Sequence, residues 1–166
     1  MRLKIFSNYS PNFNPIKRHK TQIKFLIFHY TGMKKESDAI NKLTSFKSDV
    51  SCHYFIKNNG ETYVMVPDSY VAWHAGKSEW KHYKSLNRYS IGVEISNPGH
   101  RFNYKEFSKE QSRGLFKYVY LTCKLLLNYK AKEFTVRFKN KIKKVKVFLS
   151  ISDDYPFALA TVIIST

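Results

Sequence analysis

Residues 25–32 read FLIFHYTG, a run of large apolar residues that ends in a histidine, a tyrosine, a threonine and a glycine. Such a run predicts a central strand buried on both faces, which we place at residues 22–31. His29 lies near the carboxyl end of this strand, where reactive groups often collect in sheets flanked by helices. The ring is either a zinc ligand or a core histidine bonded to a backbone carbonyl, and spacing alone favours the core histidine.

The next segments alternate between helical and strand patterns. Residues 34–46, KKESDAINKLTSF, predict a helix that Ser37 or Asp38 would cap. Two β-rich runs then flank Asn59 and Gly60, a dipeptide typical of the turn of a β-hairpin. A helix followed by a hairpin indicates that strands and helices share one domain.

The following segments complete the predicted fold. Residues 68–88 carry aromatic residues and histidines without periodicity, which predicts a long functional loop over the surface. Residues 108–130 give the clearest helical pattern, and Ser108 with Gln111 makes a capping box at its start. The sequence therefore predicts an α/β fold, a mixed central β-sheet flanked by α-helices.

Glu94 interrupts the apolar strand YSIGVEIS at residues 89–96. In a strand, Ile91, Val93 and Ile95 lie on one face and Glu94 lies on the other. A carboxylate in a dry cleft has a raised pKa, which suits a general base. A salt bridge to one of the many lysines is an equally good interpretation, and the residues alone do not decide between the two.

Composition narrows the class of protein. The 166 residues are 43% apolar, and 29 Lys and Arg against 12 Asp and Glu give a net charge of +17. Such a charge attracts polyanions, including nucleic acid and acidic wall polymers, but the scattered lysines favour a generally basic surface over a dedicated nucleic-acid site. The two cysteines, Cys52 and Cys123, exclude a disulfide framework and a zinc ribbon. No run has the length of a signal peptide or a membrane span, so we expect a soluble, cytoplasmic protein, with a periplasmic or wall-associated location left open.

Four motifs in order carry a family resemblance: FLIFHYTG at 25–32, SCHYFI at 51–56, AWHAG at 72–76 and SIGVEISN at 90–97. Together they resemble the zinc-dependent N-acetylmuramoyl-L-alanine amidases of the type 2 class, over residues 20–130. This class includes the anhydro-muropeptide amidases of cell-wall recycling and is similar to peptidoglycan recognition proteins. The resemblance implies a mixed sheet with flanking helices and hydrolysis of the amide between N-acetylmuramic acid and L-alanine.

The resemblance also implies roles for particular residues. His29 falls on the first zinc ligand, and Glu94 falls on the carboxylate that takes a proton from the attacking water and passes it to the leaving amine. His53 is not a family ligand, so a packed or hydrogen-bonded ring is expected there. The substrate groove is expected to be lined by Trp73, His74, Ala75 and Gly76.

The end of the chain departs from the family pattern. The family takes two further zinc ligands, a histidine and an aspartate, from a segment after the long helix. Here Ile151 falls on that histidine and Thr161 on that aspartate, and no histidine follows His100. Either the gene end has degenerated or shifted frame, or the domain has lost catalysis and binds peptidoglycan. We expect an irregular arm at 1–21, an amidase-like domain at 22–130 and a divergent or frameshifted, basic tail at 131–166 that resembles an exposed hairpin.

Overall fold

The computed structural model describes residues 5–103, 105–115, 146–152 and 159–165, the last two ranges by their backbone. Within these ranges, short 3-10 helices lie at Lys20–Gln22, Leu86–Tyr89 and His100–Phe102. A second α-helix, α2, begins at residue 109 and is described up to residue 115. The other elements are β1 (Ile5–Ser7), β2 (Phe13–Asn14), β3 (Phe25–Tyr30), α1 (Glu36–Thr44), β4 (Tyr54–Ile56), β5 (Thr62–Val64), β6 (Val71–Ala72), β7 (Glu79–Trp80), β8 (Tyr83–Lys84), β9 (Ser90–Ile95), β10 (Lys146–Ser152) and β11 (Leu159–Ser165).

A mixed sheet organises the fold, with strands in the order β1-β5-β4-β9-β3-β11-β10. Strand β9 lies between β3 and β4 and runs parallel to both. The β4–β5 hairpin is antiparallel, and β1 adds to its outer edge in parallel. On the other side, β11 pairs antiparallel with β3 and with β10. The predicted mixed sheet is confirmed.

Helices cover both faces of the sheet, which confirms the predicted α/β class. On one face, Ile91 and Val93 of β9 pack with the apolar side chains of β3 and with Leu115 of α2. On the opposite face, Ala39 and Leu43 of α1 pack with the β4–β5 region. Because neighbouring residues of a strand point to opposite faces, His29 and Glu94 belong to the α1 face.

Several local predictions are confirmed. Strand β3 lies within the predicted segment, and all six of its residues are buried. The hairpin turns at Gly60, which has φ of +80° and whose absent Cβ would lie 2.6 Å from the carbonyl oxygen of Glu110. Ser108 and Gln111 form the predicted capping box with two hydrogen bonds of 3.0 Å. The remainder of the helix predicted at 108–130 lies outside the described residues.

The predicted cap of α1 was wrong. The helix begins after Lys35, which makes no side-chain cap hydrogen bond, and Ser37 and Asp38 lie inside the first turn. Acidic residues there still stabilise the positive end of the helix dipole.

The 68–88 segment and the 1–21 arm are more ordered than their composition indicates. The predicted long loop contains β6, β7 and β8, and β6 pairs with β2 of the arm. The arm also supplies β1, which pairs with β5. Each of these strands is two or three residues long, so its pattern is too short to be visible without its partner.

The described parts of the predicted tail at 131–166 join the main sheet. Strands β10 and β11 form an antiparallel pair, and Val162 of β11 is the partner of Phe28 in β3. This pairing makes β3 an interior strand, in agreement with its continuous apolar sequence. Across the part of the chain that the structure describes, no helix has the length and apolar character needed to cross a membrane.

Candidate active site

His29 and Glu94 are adjacent in the sheet. They are register partners near the carboxyl ends of the parallel strands β3 and β9, so their side chains leave the same face side by side. On the other side of β9, Phe55 of β4 is the register partner of Glu94. Two residues that are 65 positions apart in sequence thus form one site.

A chain of hydrogen bonds runs from His29 into the protein. His29 Nε2 lies 3.0 Å from His74 Nδ1, and His74 Nε2 lies 3.1 Å from Ser90 Oγ. Ser90 Oγ in turn donates to the carbonyl oxygen of Leu86 at 2.6 Å. All three side chains are buried, so these contacts are shielded from water.

Gly92 makes room for the His74 ring. A Cβ built on Gly92 would lie 2.3 Å from Cγ of His74 and 2.5 Å from its Nδ1. The imidazole therefore packs directly on the backbone of β9, and this close approach explains a glycine in the interior of an otherwise apolar strand.

His53 fixes the same stretch of β9 from the other side. Its backbone N–H donates to the carbonyl of Gly92 at 3.0 Å, and the Gly92 N–H donates to His53 Nδ1 at 3.0 Å. His53 Nε2 lies 3.1 Å from the carbonyl oxygen of Tyr70 and 2.8 Å from Nη2 of Arg18. The prediction that His53 is a packed, hydrogen-bonded ring is confirmed.

Arg18 connects the N-terminal arm to this site. Its guanidinium donates to the carbonyls of Asp68, Asn87 and Ser90 at 2.8–3.0 Å. Burial lowers the pKa of Arg18 to about 10, an effect that the charge of Asp68 partly opposes. The residue remains a cation and joins the loop at Asp68 to the Leu86–Tyr89 3-10 helix and to the start of β9.

The side chain of Asn87 helps to hold the AWHAG segment in place. Asn87 Oδ1 accepts hydrogen bonds from the backbone N–H groups of His74 at 3.0 Å and Ala75 at 2.8 Å. His74 is buried, Trp73 and Ala75 are half-buried, and Gly76 is exposed. Of the four residues expected to line the groove, His74 is therefore turned into the protein, and the other three remain accessible to a ligand.

Burial disfavours the charged forms of the three histidines and of Glu94. Burial lowers the pKa of His29 to about 3, and burial with the charge of Arg18 lowers that of His53 to about 3. Burial, followed by the neighbouring histidines and Arg18, lowers the pKa of His74 well below its usual value. Burial raises the pKa of Glu94 to about 8, which the charge of Lys42 partly opposes. Glu94 retains some solvent exposure although its Oε2 is buried.

Comparison with known proteins gives the family. A family model described as N-acetylmuramoyl-L-alanine amidase matches residues 19–142, three quarters of the chain. The chain belongs to the N-acetylmuramoyl-L-alanine amidase family. His29, His74 and Glu94 all lie within the matched segment.

Relatives of known sequence and structure agree with the family. The chain is 38% identical over 85 residues to the N-acetylmuramoyl-L-alanine amidase AmiD of Escherichia coli K12, and the match covers 47% of this chain and 30% of AmiD. The chain thus spans less than a third of that relative. A selenomethionine derivative of AmpD shares the fold, with a TM-score of 0.60 and 22% identity over 79% of this chain and 82% of the AmpD chain. AmiD from E. coli in complex with the substrate anhydro-N-acetylmuramic acid-L-Ala-D-gamma-Glu-L-Lys gives a TM-score of 0.55 and 29% identity, over 63% of this chain and 44% of that chain.

The described residues could supply one of the zinc ligands of an amidase site. His29 Nδ1 and Glu94 Oε2 are buried and have no hydrogen-bond partner among the described residues. A catalytic zinc ion needs three protein ligands and an open position. Within the described ranges, no group of three His, Cys, Asp or Glu side chains is placed to hold a metal ion. The described residues therefore offer zinc His29 Nδ1 and do not complete its site.

The sequence pattern does not predict the residues that hold the histidines in place. Arg18, Asn87 and Ser90 act through backbone contacts and short side chains that carry no spacing signal. Gly92 did carry a signal, because a glycine in a strand interior marks a close approach of another group. That signal does not say which ring approaches.

We expect the metal-free protein to lose stability as the pH falls below about 6.5. The folded pKa values of His29, His53 and His74 lie below the unfolded value, so from about pH 6.5 downward the unfolded chain binds protons that the folded chain does not. Each histidine contributes a slope of about 1.4 kcal/mol per pH unit to the free energy of unfolding. Urea unfolding at pH 7, 6 and 5 measures the slope.

The exposed His82 gives a control for this experiment. His82→Gln should leave the slope of unfolding free energy against pH unchanged. His74→Gln should reduce that slope by about 1.4 kcal/mol per pH unit, the contribution of one proton. A wild-type stability that stays constant between pH 6.5 and 5 would contradict the neutral, buried state of these rings.

Proposed function

We propose that this chain hydrolyses the amide bond between N-acetylmuramic acid and L-alanine in peptidoglycan fragments. The observation that carries the proposal is the pair formed by His29 and Glu94, adjacent on one sheet face, each with a buried polar atom that lacks a partner among the described residues. An unsatisfied buried polar atom is costly, so its presence indicates a group that a ligand completes. The AmiD complex with an anhydro-muropeptide supports this class of substrate.

We assign the proton transfers to Glu94. The residue is half-buried beside its buried Oε2, so water and substrate can approach it, and its raised pKa suits a group that accepts a proton and then returns it. In this assignment Glu94 takes a proton from the attacking water and delivers it to the nitrogen of the leaving L-alanine. The breaking C–N bond thus leaves a neutral amine.

We assign substrate positioning to Trp73, Ala75 and Gly76. These residues follow Ala72 of β6, retain solvent exposure and precede the hairpin of β7 and β8. The hydrogen bonds from His74 and Ala75 to Asn87 hold this segment in one conformation, which reduces the entropy lost when a substrate binds.

In this proposal His29 is the residue that would bind zinc. When bound, zinc would polarise the amide carbonyl and lower the pKa of water. His29 Nδ1 fits one ligand position, and the other ligands of a complete site would have to come from outside the described residues.

A second candidate function is a peptidoglycan-binding module without catalysis. It is favoured by the sequence after His100, which contains no histidine and therefore lacks the second histidine ligand of the family. The half-buried Trp73 and its neighbours could still bind a muropeptide if zinc were absent.

One experiment separates the two candidates. The purified chain is incubated with an anhydro-muropeptide, with added zinc or with a chelator, and the release of free peptide is followed by chromatography and mass spectrometry. Zinc-dependent release that His29→Ala abolishes, and that His19→Ala at an exposed position does not, would support the amidase. Micromolar binding by calorimetry without release would support the binding module, and neither release nor binding would overturn both.

A further inference from the structure

The hydrogen bonds that join His29, His74, Ser90 and the Leu86 carbonyl fix which atoms carry the protons. The carbonyl oxygen of Leu86 can only accept a hydrogen bond, so Ser90 donates its single hydroxyl hydrogen to it, at 2.6 Å. Ser90 Oγ can then only accept from His74 Nε2, which lies 3.1 Å away. The proton of the neutral His74 ring is therefore on Nε2.

The same reasoning extends to His29. With its proton on Nε2, His74 has a lone pair on Nδ1, and this atom lies 3.0 Å from His29 Nε2. His29 Nε2 must then carry a hydrogen and donate it. A neutral imidazole has one N–H, so His29 Nδ1 keeps an unshared lone pair. This is the atom that is buried and has no partner among the described residues.

We propose that Ser90 and His74 are positioning residues that fix the tautomer of His29, so that Nδ1 is the unprotonated nitrogen facing the site. The consequence for a bound metal or for hydrolysis rests on the proposed function, whereas the tautomer itself does not. A ring that is held in one tautomer presents its lone pair in every molecule, while a ring without such a partner divides between two forms.

The surrounding contacts keep this chain of bonds in place. Gly92 lets the His74 ring lie against β9, and the Asn87 side chain holds the His74 backbone N–H at 3.0 Å. Ser90 is the first residue of β9, and its carbonyl accepts from Arg18 at 2.8 Å. The donors and acceptors are thus fixed by separate elements, and none depends on the ligand.

Nuclear magnetic resonance of the metal-free protein tests the tautomer directly. With nitrogen-15-labelled histidine at pH 7.5, long-range proton–nitrogen spectra distinguish a protonated ring nitrogen from an unprotonated one. We expect His29 to show a protonated Nε2 and an unprotonated Nδ1 in the wild type. The opposite assignment, or an even mixture, would overturn the proposal without any variant being needed.

Variants of Ser90 test the cause. Ser90→Ala removes the acceptor of His74 Nε2–H, so we expect the His29 spectrum to shift toward the other tautomer. Ser90→Thr keeps a hydroxyl and should restore the wild-type spectrum, and Ser90→Cys, a weaker donor and acceptor, serves as the partial variant if the alanine variant does not fold. Ser10→Ala is the matched control, because Ser10 is also buried and donates to a carbonyl, that of Leu43, away from the histidines. A folded Ser90→Ala protein with an unchanged His29 spectrum would overturn the assigned role.

Zinc titration gives the functional readout. If the wild type binds zinc, we expect Ser90→Ala to weaken the apparent affinity for the metal alone by about 10- to 100-fold, the usual effect of losing an outer-shell partner. Unchanged affinity in a variant whose tautomer has shifted would overturn the link to the site. If the wild type binds no zinc, the amidase proposal fails while the tautomer measurement stands on its own.

Discussion

Replacing Glu94 with glutamine should lower the rate of muropeptide hydrolysis by about 10²- to 10⁴-fold, the usual contribution of a general base. Glutamine keeps the shape and one carbonyl oxygen but cannot accept a proton at neutral pH. The substrate should still bind, since the groove residues Trp73 and Gly76 are untouched. Steady-state kinetics on an anhydro-muropeptide, with KM and kcat determined separately, measures the change; we expect the loss in kcat.

The same variant should change the pH dependence of stability. The folded pKa of Glu94 is raised to about 8, so between the unfolded value of 4.5 and about pH 8 the unfolded chain has lost a proton that the folded chain keeps. Wild-type stability contributed by this group is thus complete below pH 4.5 and is lost as the pH rises through 8. Glu94→Gln removes that loss, so the metal-free variant should gain stability relative to wild type as the pH rises.

Glu79→Gln provides a matched control on an exposed carboxylate of β7. It should alter neither kcat nor the dependence of urea unfolding on pH. Full activity of Glu94→Gln would remove Glu94 from the mechanism. An equal effect from Glu79→Gln would show that the loss reflects net charge and not the buried position.

The sequence predicts those parts of the site that depend on strand periodicity. His29 and Glu94 each lie near the end of an apolar strand, so both could be placed on a sheet, and their motifs assigned them to one family. Neither residue alone could be distinguished from a core histidine or a salt-bridged carboxylate. Distinguishing these alternatives depends on which polar atoms remain without a hydrogen-bond partner. That in turn follows from the packing of the whole domain.

The supporting residues could not be predicted because they act across long sequence separations. Arg18 reaches Asn87 and Ser90, about seventy residues away, through backbone carbonyls that any residue would offer. Its segment therefore has the sequence pattern of an irregular arm. The sequence likewise gives no sign that β11 belongs to the main sheet, because its pairing with β3 depends on register and not on any motif.

Gly92→Ala should lower both the stability of the protein and its rate of hydrolysis, because it places a methyl group where the His74 ring lies. The new Cβ would be 2.3 Å from Cγ of His74, so the ring must move and its bonds to His29 and Ser90 must break. Overpacking of this kind costs about 1–3 kcal/mol or more. We expect a clear drop in the midpoint of urea unfolding together with a loss of hydrolysis.

A double-mutant cycle with His74→Ala isolates the cause of this effect. If the clash with the ring is what destabilises Gly92→Ala, removing the ring first should make the second substitution nearly neutral. The two effects on the free energy of unfolding would then be non-additive by at least about 1 kcal/mol. Hydrolysis should not recover in the double variant, because His29 would still lack its partner. Additive free energies would instead indicate that Gly92 is required by the β9 backbone, and that His74 is held in place by Asn87 and Ser90 alone.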